Sequence, residues 1–265
     1  MARAPVQTAL RPAAGVVLGC AYLATLLALD HVASYPQQLA LGVVTCVVLV
    51  AALTLVPPER RAQALGVVAF ATIGEATGSL LWGVYRYRLH NLPLFVPPAH
   101  GIVYLSGLAL AASLQRHTRA LVTTAAVTAA TWGILGLTVL PRRDVAGAIG
   151  VPVLLLFLWR ARNRAIYAGV FLVVASLELY GTAIGTWRWA THLPGTGIPV
   201  GIPPSGVAAG YVWFVVMALL VAPYLLALTR RLGRVRAPDA ASDDFPAAAE
   251  SLPATPTFPI DRKAQ

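Results

Sequence analysis

Eight apolar runs fill most of this chain: 13–29, 38–56, 62–85, 94–114, 119–140, 144–159, 165–189 and 203–228. A hydrocarbon core about 30 Å thick needs roughly 20 helical residues to cross it. Inside that core only helices and closed barrels satisfy their own backbone polar groups. The composition leaves little choice of solvent. The chain is 11% charged and 58% hydrophobic, against about 25% and 45–50% in an ordinary soluble domain, so it lacks the polar residues to coat a water-soluble globule. The expected fold class is all-α, a polytopic membrane protein with eight transmembrane helices. The run 144–159 is the shortest, opens on Asp144 and contains Pro152. A cleaved signal peptide is the alternative for the first run; a counterpart later in the chain argues for a retained span.

The basic residues set the direction. Fifteen of the twenty lie on one side of the eight runs, from Arg3 and Arg11 to Arg262 and Lys263. Five lie on the other: Arg86, Arg88, Arg142, Arg143 and Arg188. By the positive-inside rule both termini are expected in the cytoplasm of a multi-pass cell-membrane protein, as an even number of crossings requires. The net charge of +10 sits in short clusters between apolar runs, a pattern of juxtamembrane loops, so no nucleic-acid partner is expected. Residues 237–265 hold five prolines and five acidic residues with little apolar periodicity, and read as a disordered cytoplasmic tail. The run from Arg230 to Arg236 is expected at anionic headgroups. Cys20 and Cys46 lie inside apolar runs with no C-x-x-C, and read as small buried hydrophobes.

An internal duplication shows in the motifs. Run three holds Glu75-Ala76-Thr77-Gly78, then Gly83-Val84-Tyr85-Arg86-Tyr87; run seven holds Glu178-Leu179-Tyr180-Gly181, then Gly185-Thr186-Trp187-Arg188-Trp189. Both are followed by a proline pair, Pro97-Pro98 and Pro203-Pro204, and then by Tyr104 and Tyr211. The offset between the glutamates, 103 residues, also carries run two onto run six and run one onto part of run five. The expected organisation is a four-helix repeat in 1–114, a second in 115–236, and the tail. Four is even, so the repeats point the same way about a pseudo-twofold along the membrane normal. Gly78 and Gly83 are one residue further apart than Gly181 and Gly185. An extra residue rotates the rest of the helix by about 100° or is absorbed as a π-bulge, so a bulge or a helix end is expected near 79–83.

Glu75 and Glu178 are the only carboxylates deep inside these runs, each about 20 Å from the cytoplasmic end. A charge at that depth costs about 2.5–3.5 kcal/mol on insertion scales, and is kept when it faces a partner or a polar cavity. Desolvation favours the neutral form of a carboxyl group, and a carboxylic acid neutral at pH 7 can donate a proton. The structural alternative is a hydrogen bond between helices in each half. The small residues beside each glutamate, Gly74 to Ser79 and Gly181 to Gly185, read as close helix packing. Tyr85, Arg86, Tyr87, Trp187, Arg188 and Trp189 fall where an aromatic belt and snorkelling arginines are ordinary; the functional alternative is contact with a polar headgroup or carboxylate by Arg86 and Arg188. His100, one turn past Pro97, has Gly206 as its counterpart and could form an acid/base pair with Glu75. His31, His90 and His192 share the outer side, but no H-x-x-x-H or H-x-x-E-H spacing occurs, and no nucleotide or hydrolase motif is present. Neither a metal nor a cofactor is expected.

The two patches resemble the integral-membrane carotenoid hydratases of the bisanhydrobacterioruberin type. That family carries an intramembrane E-x-x-G, a TG followed by aromatic-Gly-x-Tyr-x-Tyr, and a Val-Pro beyond. The matching residues are Glu75, Thr77, Gly78, Trp82, Gly83, Tyr85, Tyr87, Val96 and Pro97. Glu178, Gly181, Trp187, Trp189 and Gly201-Ile202-Pro203 resemble its second acidic motif, with Glu where the family has Asp. The resemblance covers about 90 residues and implies acid-initiated addition of water to a polyene end group.

The leading expectation is a membrane enzyme acting on an isoprenoid, carotenoid or other lipid. Glu75 and Glu178 are its acid and base and His100 an assistant. Trp82, Tyr85, Arg86, Tyr87, Tyr104, Trp187, Arg188, Trp189 and Tyr211 bind substrate, the aromatic rings stabilising developing positive charge. The alternatives are a proton-coupled transporter rocking about midplane acids and a non-catalytic subunit in which the acids join helices. The enzyme reading requires both glutamates to converge on one pocket.

Overall fold

The structure is a computed structural model that describes residues 12–236, as backbone alone at 208–209 and 229–236. The tail 237–265, Arg3, Arg11 and the side chains of Arg230 to Arg236 lie outside the described residues.

Among the described residues eight α-helices run in order: α1 (Pro12–Val32), α2 (Tyr35–Thr54), α3 (Pro58–Glu75), α4 (Val96–Ser113), α5 (Thr118–Thr138), α6 (Val145–Arg160), α7 (Arg164–Ile184) and α8 (Val207–Arg236). Residues 12–228 belong to one compact body. Prolines open α2, α3 and α4, where the missing N–H is no loss. Asp144 caps α6 by accepting from Gly147 N at 2.9 Å.

Among the described residues six segments are long and apolar enough to cross a membrane: Pro12–Val32, Tyr35–Thr54, Pro58–Trp82, Gln115–Thr138, Arg164–Ile184 and Gly210–Leu228. The sequence pattern predicts eight. α6 falls short by length, with 16 residues. α4 carries His100, Tyr104 and Ser106, all buried, because it packs between α1, α2, α3 and α7. A helix surrounded by helices has no need of an all-apolar surface.

Run ends also shift. Run three stops being helical at Trp82 and run seven at Ile184, and α8 starts at Val207, after Pro203-Pro204. The chain leaves both earlier helices through a left-handed glycine, Gly83 at φ 74° and Gly185 at φ 79°. Glycine takes this conformation without the Cβ penalty of other residues. The last turns of run three form a π-helix, Ala76–Trp82, which absorbs the extra residue expected there. The all-α expectation needs one addition. Two short strands, β1 (Tyr85–Tyr87) and β2 (Trp187–Trp189), pair antiparallel with Tyr85 opposite Trp189, Arg86 opposite Arg188 and Tyr87 opposite Trp187.

Candidate active site

Glu75 is the last α-helical residue before the π-helix. Beyond Gly83 the chain doubles back, with Val84 N donating to Gly78 O at 2.9 Å. The second half repeats the turn: Thr186 N donates to Gly181 O at 2.9 Å beyond Gly185. Each reversal returns a strand over its own glutamate. Side chains alternate along a strand, so Tyr85, Tyr87, Trp187 and Trp189 line the cavity beneath the ribbon while Arg86 and Arg188 are exposed.

The hydroxyls of Tyr85 and Tyr87 both donate to Glu75 Oε2, at 2.5 and 2.6 Å. His100 Nε2 lies 3.1 Å from Glu75 Oε1, and His100 Nδ1 is hydrogen-bonded to the Tyr211 hydroxyl. Glu75 therefore sits in a chain of polar groups running from β1 through α3 and α4 to α8. Desolvation, and next the charge of Glu75, push the Tyr85 and Tyr87 phenols above their usual range. Both stay protonated donors.

Glu178 has a sparser setting. Trp187 Nε1 donates to its Oε2 at 3.1 Å, and no other hydrogen bond reaches it among the described residues. An indole carries one N–H and no acceptor, so tryptophan in place of Tyr85 gives this carboxyl one donor where Glu75 has three polar neighbours. Trp189 Nε1 donates instead to Thr182 Oγ1 at 3.2 Å.

Both glutamates and His100 line one cavity of about 480 Å³. Tyr85, Tyr87, Trp82, Trp187, Trp189 and Tyr211 join its wall, together with Phe70, Leu177, Trp213 and Phe214, which the sequence did not single out. The rings pack in two groups: Tyr85 lies 4.7 Å from Trp189 by centroid, and Tyr211 lies 5.5 Å from Phe214. Three expected binding residues lie elsewhere. Tyr104 is fully buried and donates to Gln63 Oε1 at 2.8 Å, because it points into the packing of α4 against α3. Arg86 and Arg188 occupy the outer face of the ribbon, where strand alternation sends them away from the cavity.

Two polar groups outside the cavity have roles that the sequence pattern does not reveal. Asp30, fully buried near the end of α1, accepts from Gln38 Nε2 at 2.7 Å, and Asn91 Nδ2 donates to Gln38 Oε1 at 2.7 Å. Besides capping α6, Asp144 accepts from Gly201 N at 2.9 Å and from Ser205 N and Oγ at 2.6 and 2.7 Å. No group of three His, Cys, Asp or Glu side chains is placed to hold a metal among the described residues. No family model, curated protein or solved structure matches the chain.

Proposed function

We propose that this protein is an integral-membrane enzyme that adds water to a double bond at one end of a carotenoid-type isoprenoid. The observation that carries the reading is the convergence of Glu75, Glu178 and His100 on one aromatic-walled cavity. Glu178, with a single hydrogen-bond donor, is the acid: its proton goes to one alkene carbon and a carbocation forms at the other. The faces of Tyr85, Trp187 and Trp189 are suited to stabilise that charge. A water molecule attacks the cation, and its departing proton passes to Glu75 and His100. Return of that proton to Glu178 across the cavity resets the enzyme, and the net change is alkene plus water to alcohol.

The cavity suits a substrate dissolved in the bilayer. Ile73, Trp82 and Trp213 line it and are also exposed large hydrophobics, so its mouth meets lipid. A volume of about 480 Å³ is in the range that encloses a drug-sized molecule; one end of a polyene fits, with the remainder outside. In this reading the chain crosses the cell membrane eight times with both termini cytoplasmic. α4 and α6, about 27 and 24 Å long, complete the count.

The duplicated architecture is also part of the proposal. Three features support it: the matched turns at Gly83 and Gly185, a strand register symmetric about Arg86 and Arg188, and two matched helix approaches. In those approaches Gly66 of α3 meets Ala218 of α8, and Gly169 of α7 meets Gly107 and Ala111 of α4.

The test is a lipid extract. A deletion strain should accumulate a polyene lighter by one water. The wild-type gene should restore the hydroxylated product, and Glu75→Gln and Glu178→Gln should each lower its formation by about 10²–10⁴-fold. Unchanged lipids on deletion would reject the enzyme reading and leave a transporter or an assembly subunit.

A further inference from the structure

The outer face of the β-ribbon holds a second recess, which shares Tyr85, Tyr87 and Trp189 as walls with the cavity beneath. Its volume is about 470 Å³, and Arg86, Arg88, His90 and Arg188 line it with no carboxylate among its walls. Arg86 and Arg188 stand directly opposite each other in the ladder, and like charges in that position repel. Neither has a carboxylate partner among the described residues. Arg88 is engaged through its Nη2, which donates to the carbonyls of Asp30 and Ala33, while its buried Nε has no partner; it adds charge, and no hydrogen bond engages the Arg86 or Arg188 guanidinium among the described residues. All three also run against the positive-inside bias of the chain.

We propose that this recess binds a phosphate group, clamped between the Arg86 and Arg188 guanidinium groups. Each guanidinium is a planar fork that engages two oxygens of an oxyanion. Two forks side by side match a tetrahedral phosphate with oxygens to share, whereas a carboxylate is satisfied by one. An anion there also relieves the repulsion across the ladder. The phosphate has two sources, a phospholipid headgroup at the membrane surface or a soluble phosphate. The site does not depend on the catalytic reading, because its test reads binding alone.

Full-length protein in neutral detergent would be titrated separately with phosphatidic acid and with inorganic phosphate, and thermal unfolding and native mass spectrometry recorded. Wild type should gain a bound anion and a raised unfolding midpoint. Response to phosphatidic acid alone assigns the headgroup, and response to both assigns the phosphate moiety whatever its source. Arg86→Gln and Arg188→Gln should each weaken binding at least about tenfold, as loss of a charge-assisted bidentate contact requires. Arg143→Gln, outside the recess, should bind as wild type. If an Arg86 or Arg188 variant fails to fold, Arg86→Lys, which keeps charge and loses the fork, is measured in its place and should bind less tightly than wild type. No binding by wild type, or equal binding by the recess variants and Arg143→Gln, overturns the proposal.

Discussion

Gly78 and Gly181 hold equivalent places beneath their strands, but they leave different room. A Cβ added at Gly181 would lie 2.2 Å from the Trp187 ring, whereas one at Gly78 would lie 3.0 Å from the edge of Tyr85. The first distance is closer than any real contact, so Gly181→Ala must displace the indole and break its hydrogen bond to Glu178. Gly181→Ala should therefore lower product formation at least tenfold and shift tryptophan fluorescence, while Gly78→Ala should keep most activity. Equal activities would show that the Trp187 contact does not matter. A second prediction concerns Tyr85 and Tyr87. Their phenols titrate above the ordinary value of about 10, so a near-ultraviolet titration of Tyr85→Phe/Tyr87→Phe should match wild type up to about pH 10. Loss of an ionisation step below that pH would show that one of them is exposed to water.

At the scale of elements, the helix exits decide where the ribbon lies. A Cβ at Gly185 meets nothing within 4 Å, so substitution there isolates the cost of the left-handed backbone. Gly185→Ala should cost about 1–2 kcal/mol, and Gly185→Asn less, read as thermal unfolding midpoints. Loss of folding on Gly185→Ala would mean that the turn carries more than its backbone term. Asp144 works at the same scale by tying the start of α6 to the segment before α8. Asp144→Ala would leave the amides of Gly147, Gly201 and Ser205 without their acceptor, at about 1–3 kcal/mol each. Denaturant unfolding in detergent should show a loss of at least about 3 kcal/mol, with Asp144→Asn between that and wild type. The helices and the irregularity before Gly83 were legible because hydropathy and a one-residue mismatch are local signals. The Asp144 clamp was not, since its partners lie 57 and 61 positions away and nothing near Asp144 announces them. Asp30 falls outside the pattern for a simpler reason: the first apolar run closes at Leu29, while α1 continues to Val32. Three-residue strands leave too short a pattern to separate the ribbon, by sequence, from an interfacial belt.

For the molecule as a whole, the positive-inside count makes a prediction about sidedness. With Cys20 and Cys46 replaced by Ala, a single cysteine at the exposed Thr196 should react with a membrane-impermeant maleimide added outside intact cells. A cysteine at the exposed Arg116 should react only after the cells are opened. The reverse pattern would invert the topology, and reaction of both from outside would break the even count of crossings. The ladder between β1 and β2 bears on the origin of this arrangement. A strand that pairs antiparallel about its central residue is complementary to itself, the condition for a twofold homodimer. On the duplicated reading, an ancestral unit could close onto a second copy of itself through these same main-chain bonds. On that same reading, fusion would free each copy from the obligation to resemble the other. Tyrosines could then stand where the sister keeps tryptophans, and a histidine where the sister keeps glycine. One gene could in this way encode two unlike carboxyl groups lining one cavity, a division of labour that no assembly of identical subunits can write into its sequence.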